Sequence, residues 1–282
     1  MCDLEVLYHY TTLSTFEKII KNGYFAMFDI LKSNDPLEGI FSITAIKDAY
    51  ANICLSDELD DEKLLNMRTI YHDFLDEVES FGKLHNVICS LSFCKPNHKL
   101  LLWRTYGDNG KGIAIGVGKI ELEKFNNYDN FEFKKVEYKS RKDYTNIAKE
   151  LLIEVASMSK EAGLSKLNSF YNESYFIKEA YNSDENEYRL IYKGVDLENY
   201  ILPSTGEKIP NVEMLVSANN DMKIFYQLVI HKNTNDNQNP FLKINDIIIG
   251  SNCLSKEQEI RLFLRLHDID DCSIFKDDVS MR

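Results

Sequence analysis

The sequence predicts an α+β fold built on a mixed, strongly twisted β-sheet. Three observations carry that reading. Runs rich in β-branched and aromatic residues recur along the chain, as at Val6–Tyr10, Asn86–Phe93 and Asp246–Ile249. Helical patterns stand between them irregularly, without the strict alternation of a parallel βαβ sheet. No internal repeat or clear linker divides the 282 residues, so they read as one domain with helical insertions near 41–80 and 141–180.

The elements follow in order. Val6–Tyr10 reads as a first strand. Ser14 is expected to cap a helix over Thr15–Asn22, with Glu17 completing a capping box and Gly23 ending it. Tyr24–Leu31 is extended, and Ser33-Asn34-Asp35-Pro36 is a turn. Phe41–Ile53 is helical. Ser56 is expected to cap a longer helix reaching Glu79, in which Leu64, Met67, Ile70, Tyr71, Phe74 and Val78 recur at helical spacing. The acidic run Asp57, Glu58, Asp60 and Asp61 suits the positive end of that helix.

Asn86–Phe93 is a strand, followed by a helix over Lys99–Tyr106 and a turn at Gly107-Asp108-Asn109-Gly110. Lys111–Val117, Phe131–Tyr138 and Asn186–Tyr192 are strands, and 141–180 is mainly helical. Residues 194–220 read as loop or irregular hairpin, and 233–240 as a polar loop. Lys223–His231 and Asp246–Ile249 are strands, Ser255 caps a helix to Leu266, and Cys272–Phe275 is the last strand.

Composition narrows the function. A net charge of −12 gives no global attraction for nucleic acid. The six cysteines are scattered, with no CxxC pair and no zinc spacing, so they read as reduced thiols and no metal is expected. No leader-like start and no apolar run near roughly 18 residues is visible, so a cytoplasmic protein without membrane contact is expected. P-loop, Rossmann, HExxH and GxSxG patterns are missing from the sequence.

Three segments carry polar groups on or beside strand-like runs. His9 ends the first strand, with Tyr10, Thr11 and Thr12 beside it; a neutral imidazole there can bond a ligand hydroxyl or simply the backbone. Ser90 and Ser92 share one strand face, suited either to a wet cleft or to packing under a helix. Trp103 and Tyr106 are three apart on a helix and can form a stacking wall. Leu100, Leu101 and Trp103 also fit ordinary core. Glu185, Glu187 and Arg189 alternate onto one strand face. An Arg two residues from Glu187 holds that carboxylate ionised and oriented. A fixed carboxylate suits a developing cation, although an exposed Glu–Arg pair fits the same spacing.

At these residues the chain resembles the family named DUF2971, a group of bacterial proteins. The run appears as Leu7-Tyr8-His9-Tyr10-Thr11, Asn34-Asp35-Pro36-Leu37-Glu38 and Ser90-Leu91-Ser92-Phe93. It continues as Leu102-Trp103-Arg104-Thr105-Tyr106-Gly107-Asp108 with Lys111-Gly112, then Glu185-Asn186-Glu187-Tyr188-Arg189-Leu190 and Ile247-Ile248-Ile249-Gly250. That family is distantly similar to ADP-ribosyltransferases. The resemblance implies a split sheet of that type and NAD as substrate, without a metal. It implies that His9, flanked by Tyr10 and Thr11, bonds the adenine-side ribose, and that Ser90 and Ser92 support the nicotinamide pocket. Trp103 or Tyr106 would line it, and Arg189 would hold Glu187. Glu187 would be catalytic, bonding the nicotinamide-ribose 2′-hydroxyl. The expected activity is ADP-ribosyl transfer to a macromolecular acceptor, as in a toxin or a phage-defence effector. An NAD glycohydrolase and a catalytically silent binding module are the alternatives.

Overall fold

The computed structural model describes residues 5–32, 40–84, 86–96, 99–196, 211–216, 221–230 and 241–278. The turn expected at Ser33–Pro36 and the loop expected at 233–240 lie outside them. The described strands are β1 (Val6–Thr11), β2 (Tyr24–Asp29), β3 (Asn86–Cys94), β4 (Ile113–Gly118), β5 (Phe131–Lys135) and β6 (Glu137–Lys139). They continue as β7 (Ile177–Glu179), β8 (Glu187–Asp196), β9 (Val212–Val216), β10 (Met222–Val229), β11 (Ile244–Ile249) and β12 (Ser273–Lys276). The described helices are α1 (Leu13–Asn22), α2 (Phe41–Cys54), α3 (Asp61–Leu84), α4 (Lys99–Thr105), α5 (Lys119–Glu123), α6 (Arg141–Val155), α7 (Lys160–Glu173) and α8 (Glu257–Arg265).

The fold is α+β, as the sequence predicts. Ten strands form an open sheet in the order β12-β11-β4-β1-β3-β2-β10-β9, with β8 on β3 and β5 on β8. Every pair in this sheet is antiparallel except β11–β12, which makes it mixed. A separate parallel pair joins β6 and β7.

The sheet forks at β3. Strand β8 runs along one edge of β3, from Asn86 to Cys94. The other edge is divided: β2 pairs there at Cys89 and Ser90, and β1 at Cys94. Strands β1 and β2 therefore part beside Leu91–Phe93, a place where the sheet is not continuous.

Side-chain alternation sorts the sheet into two faces. Leu7, Phe25, Met27, Leu91, Phe93 and Leu190 join one apolar cluster with Phe16 and Ile20 of α1 and with Ile260 and Leu264 of α8. The insertions behave as one body: α2 and α3 pack with α6 and α7 around Ile46, Phe74, Leu152 and Leu167. Met67, Ile70, Tyr71, Phe74 and Val78 of the predicted stripe are all buried there. No described helix is long and apolar enough to cross a membrane.

Several boundaries moved for local reasons. Thr12 caps α1 in place of Ser14, its hydroxyl accepting from the Thr15 N–H at 3.1 Å. Gly23 ends α1 with φ 76°, a left-handed value that glycine adopts without strain. Helix α3 begins at Asp61, because Asp60 and not Ser56 takes the Lys63 N–H, at 2.9 Å. The Ser56 hydroxyl instead donates back to the Ile53 carbonyl at 3.0 Å. At α8 the Glu259 carboxylate accepts from Lys256 N–H at 2.8 Å, so the cap is one residue past Ser255. The strand expected over Phe131–Tyr138 breaks at Val136, and β6 joins β7 instead. Within 194–220, β8 extends to Asp196 and Val212–Val216 forms an edge strand.

Candidate functional site

The site is built where β1, β3 and β8 meet. In the β3–β8 ladder Cys94 faces Glu187, Ser92 faces Arg189 and Ser90 faces Ile191. Glu187, Arg189, Ser90 and Ser92 therefore share a face, opposite the apolar Leu91, Phe93 and Leu190. Ser92 joins the first and last of the three sequence segments. Its hydroxyl donates to Glu187 Oε1 at 2.5 Å, and its carbonyl accepts from His9 Nδ1 at 3.0 Å.

That second bond fixes the histidine tautomer. A carbonyl oxygen only accepts, so the Nδ1 of His9 carries hydrogen and Nε2 of the neutral ring is an acceptor. Burial lowers the His9 pKa from its ordinary value, opposed by the Ser92 carbonyl. The ring is held edge-on by Phe25 and Phe93, with centroids at 5.5 and 6.2 Å.

Glu187 is 1% exposed, and so is Arg189. Arg189 Nε and Nη2 reach Glu187 Oε1 at 3.0 and 2.9 Å, while Nη1 donates to the Tyr175 carbonyl at 2.5 Å. Lys178, on β7, places its ammonium 2.8 Å from Glu187 Oε2 and 2.9 Å from Glu185 Oε2. The Tyr106 hydroxyl donates to Glu185 Oε1 at 2.8 Å. The Glu187 N–H donates to the Tyr138 hydroxyl, also at 2.8 Å. Burial acts to raise the Glu187 pKa, but Arg189 and Lys178 outweigh it and bring it down to about 2. The carboxylate is thus ionised although it has almost no contact with bulk water.

A cavity of about 540 Å³ opens at the fork of the sheet. His9, Tyr10, Ser90, Ser92, Tyr106, Glu185, Glu187 and Lys178 all line it. Three of the sequence-predicted residues do not. Thr11 is buried beside the wall. Trp103 is fully buried behind Tyr10, edge to face at 4.9 Å, and donates its indole N–H to Asp277. Arg189 stands behind Glu187 and reaches the cavity only through it. Of the aromatic pair expected at a wall, Tyr106 lines the cavity and Trp103 does not, and Tyr10 lines it as well. Leu100 and Leu101 are 36% and 41% exposed, so the buried pair on α4 is Leu102 and Trp103.

Sequence reasoning passed over Lys178. Its signal was a single cation inside the β-rich run Tyr175-Phe176-Ile177-Lys178, next to residues that bury completely. A lysine in that setting needs a carboxylate partner, and of the four that follow within nine residues Glu185 and Glu187 take that place.

Comparison with known proteins adds one positive finding. No curated protein and no solved structure matches the chain. The matched stretch holds Trp103, Tyr106, Lys178, Glu185, Glu187 and Arg189, whereas His9, Ser90 and Ser92 precede it. That stretch, residues 102–190, matches the model of the family DUF2971, described as a protein of unknown function.

Proposed function

We propose that the chain binds NAD in the cavity at the fork, breaks its nicotinamide–ribose bond and transfers ADP-ribose to a macromolecular acceptor. The observation that carries this reading is Glu187: an ionised carboxylate, buried, oriented by Ser92 and Arg189, and facing a cavity shared with His9. Departure of nicotinamide leaves positive charge on the ribose. A carboxylate fixed opposite that charge is bound more strongly to the transition state than to the ground state, so it accelerates the step. The His9 Nε2 can accept a ribose hydroxyl, and Tyr10 and Tyr106 offer ring faces to a flat heterocycle. The fork between β1 and β2 supports the split-sheet, ADP-ribosyltransferase-like reading of the fold. With water as acceptor the same pocket is an NAD glycohydrolase. Either activity suits a toxin or a defence effector.

One observation favours a second reading. Lys178 covers Glu187 Oε2, and the charges of Lys178 and Arg189 balance those of Glu185 and Glu187. A carboxylate balanced in this way fits a silent nucleotide-binding module. The test is nicotinamide release from NAD by the full chain, with and without cell lysate as a source of acceptors. Glu187→Gln keeps the shape and removes the charge; it should cut release roughly 100-fold while leaving NAD affinity nearly intact. Equal turnover by both proteins would remove Glu187 from the mechanism. NAD binding without turnover by either would establish the silent module.

A further inference from the structure

A second group of charges lies outside the cavity. Tyr188 follows Glu187 along β8 and turns to the other face of the sheet, where its ring joins the apolar cluster and is 6% exposed. Three ammonium groups converge on that ring. Lys119 stands 5.6 Å from its centroid, Lys95 5.7 Å and Lys135 6.0 Å. The ladder registers bring them there. Lys135 is paired with Tyr188 across β5–β8, Lys95 lies two residues past Phe93, the partner of Tyr188 on β3, and Lys119 follows Gly118, the partner of Val6. None of these residues lines the cavity at the fork.

Glu5 shows what the group accepts. Its carboxylate sits between two of the lysines, bonding Lys95 and lying 3.0 Å from Lys119. Its carbonyl accepts from the Lys119 N–H at 2.8 Å, so the backbone fixes this arrangement. The bonds to Glu5 raise the pKa of both lysines and keep them charged. Glu123 reaches only Lys119, at 3.7 Å. Lys135 is exposed and forms no ion pair among the described residues. Positive charge is thus in excess here, in a chain where acidic residues outnumber basic ones 45 to 33.

The ligand chemistry follows from that balance. An arriving carboxylate would merely exchange with Glu5. A phosphate monoester carries a charge of about −1.5 to −2 and three acceptor oxygens, enough to meet three ammonium groups at once. The buried Tyr188 ring offers no face to a base, and the net charge of −12 opposes a polyanion.

We propose that Lys95, Lys119 and Lys135 form an anion site for one phosphate group of a small molecule, with Glu5 as the internal anion that the phosphate displaces. The site shares no residue with the NAD reading and stands or falls apart from it.

The probe is inorganic phosphate, titrated into the full chain at constant ionic strength and followed by the amide NMR shifts of Lys119 and Tyr188. Those shifts should move and saturate. Lys135→Glu should weaken binding at least fivefold; this lysine makes no ion pair, so the fold should survive its loss. Glu5→Gln removes the competing carboxylate and should strengthen binding at least threefold, whereas a purely structural Glu5 would give no gain. Unmoved shifts at tens of millimolar phosphate, or equal affinity in parent and Lys135→Glu, would overturn the site. So would a single-stranded oligonucleotide that binds through Lys135 where phosphate does not.

Discussion

The helices α2, α3, α6 and α7 enclose Phe41, Ile46, Ile53, Phe74, Leu152 and Leu167, with Ser42 and the Tyr144 hydroxyl as buried polar exceptions. The fork of the sheet instead encloses Lys178, Glu187 and Arg189. The two regions are held by different physics. In the helical body each side chain removed from water contributes by its apolar area, roughly 25 cal/mol per Å². At the fork each ion loses hydration worth several kcal/mol, and pairing returns about that amount. An apolar replacement of similar volume often does as well or better, so folding alone does not call for three charges at this place. The charges also line or back a cavity, whereas Phe74, Leu152 and Leu167 belong to one buried apolar cluster. The difference sets a body held by apolar packing against a fork whose buried charges meet a cavity.

The sharpest way to break this contrast is a pair of substitutions. Phe74→Ala in the helical body and Lys178→Met at the fork should each cost about 3–5 kcal/mol, the first through a cavity and the second by leaving buried carboxylates short of a cation. Denaturant melts measure that cost. Of the folded molecules, those with Phe74→Ala should bind NAD like the parent, and those with Lys178→Met should bind it with a changed affinity. Equal NAD affinity in both would detach the fork from ligand binding.

A smaller effect is expected with pH. The Glu187 pKa is about 2 in the folded protein, below its ordinary 4.5. Its contribution is therefore fully present above about pH 4.5 and is lost as pH falls from there toward 2. The loss is on the order of 3 kcal/mol, at about 1.4 kcal/mol per unit. Glu187→Gln should flatten that part of the stability curve. A parallel acid slope in parent and variant would mean that Glu187 is not held ionised by its neighbours.

Much of this architecture was legible in the sequence, and the exceptions have physical causes. The α3 stripe from Met67 to Val78 and the strands β1, β3 and β8 follow from periodicity, which local sequence records directly. Helix starts were misread because several hydroxyls and carboxylates compete for the same N–H groups: Thr12 stands near Ser14, and Asp60 near Ser56. A meeting of His9, Ser92 and Glu187 was expected from order and resemblance; Ser92 touches both, Glu187 through its hydroxyl and His9 through its backbone carbonyl, while the His9 ring packs on Phe25 and Phe93. The partners of Lys178 could not be read from sequence because they depend on where β7 docks, a tertiary fact. Trp103 misled for a similar reason. Its spacing to Tyr106 is that of a shared helix face, and the two do pack in one cluster, but Trp103 is fully buried and donates to Asp277 while the Tyr106 hydroxyl reaches Glu185 at the cavity.

In the proposed function the nicotinamide end of NAD lies at the fork, against Glu187. A crystal structure of the Glu187→Gln variant soaked with NAD tests it most directly, because the uncleaved dinucleotide should persist. The nicotinamide-ribose 2′-hydroxyl should lie within about 3 Å of residue 187, with a ribose hydroxyl at His9 Nε2. NAD bound elsewhere, or a fork that stays closed by Lys178 at saturating NAD, would contradict it.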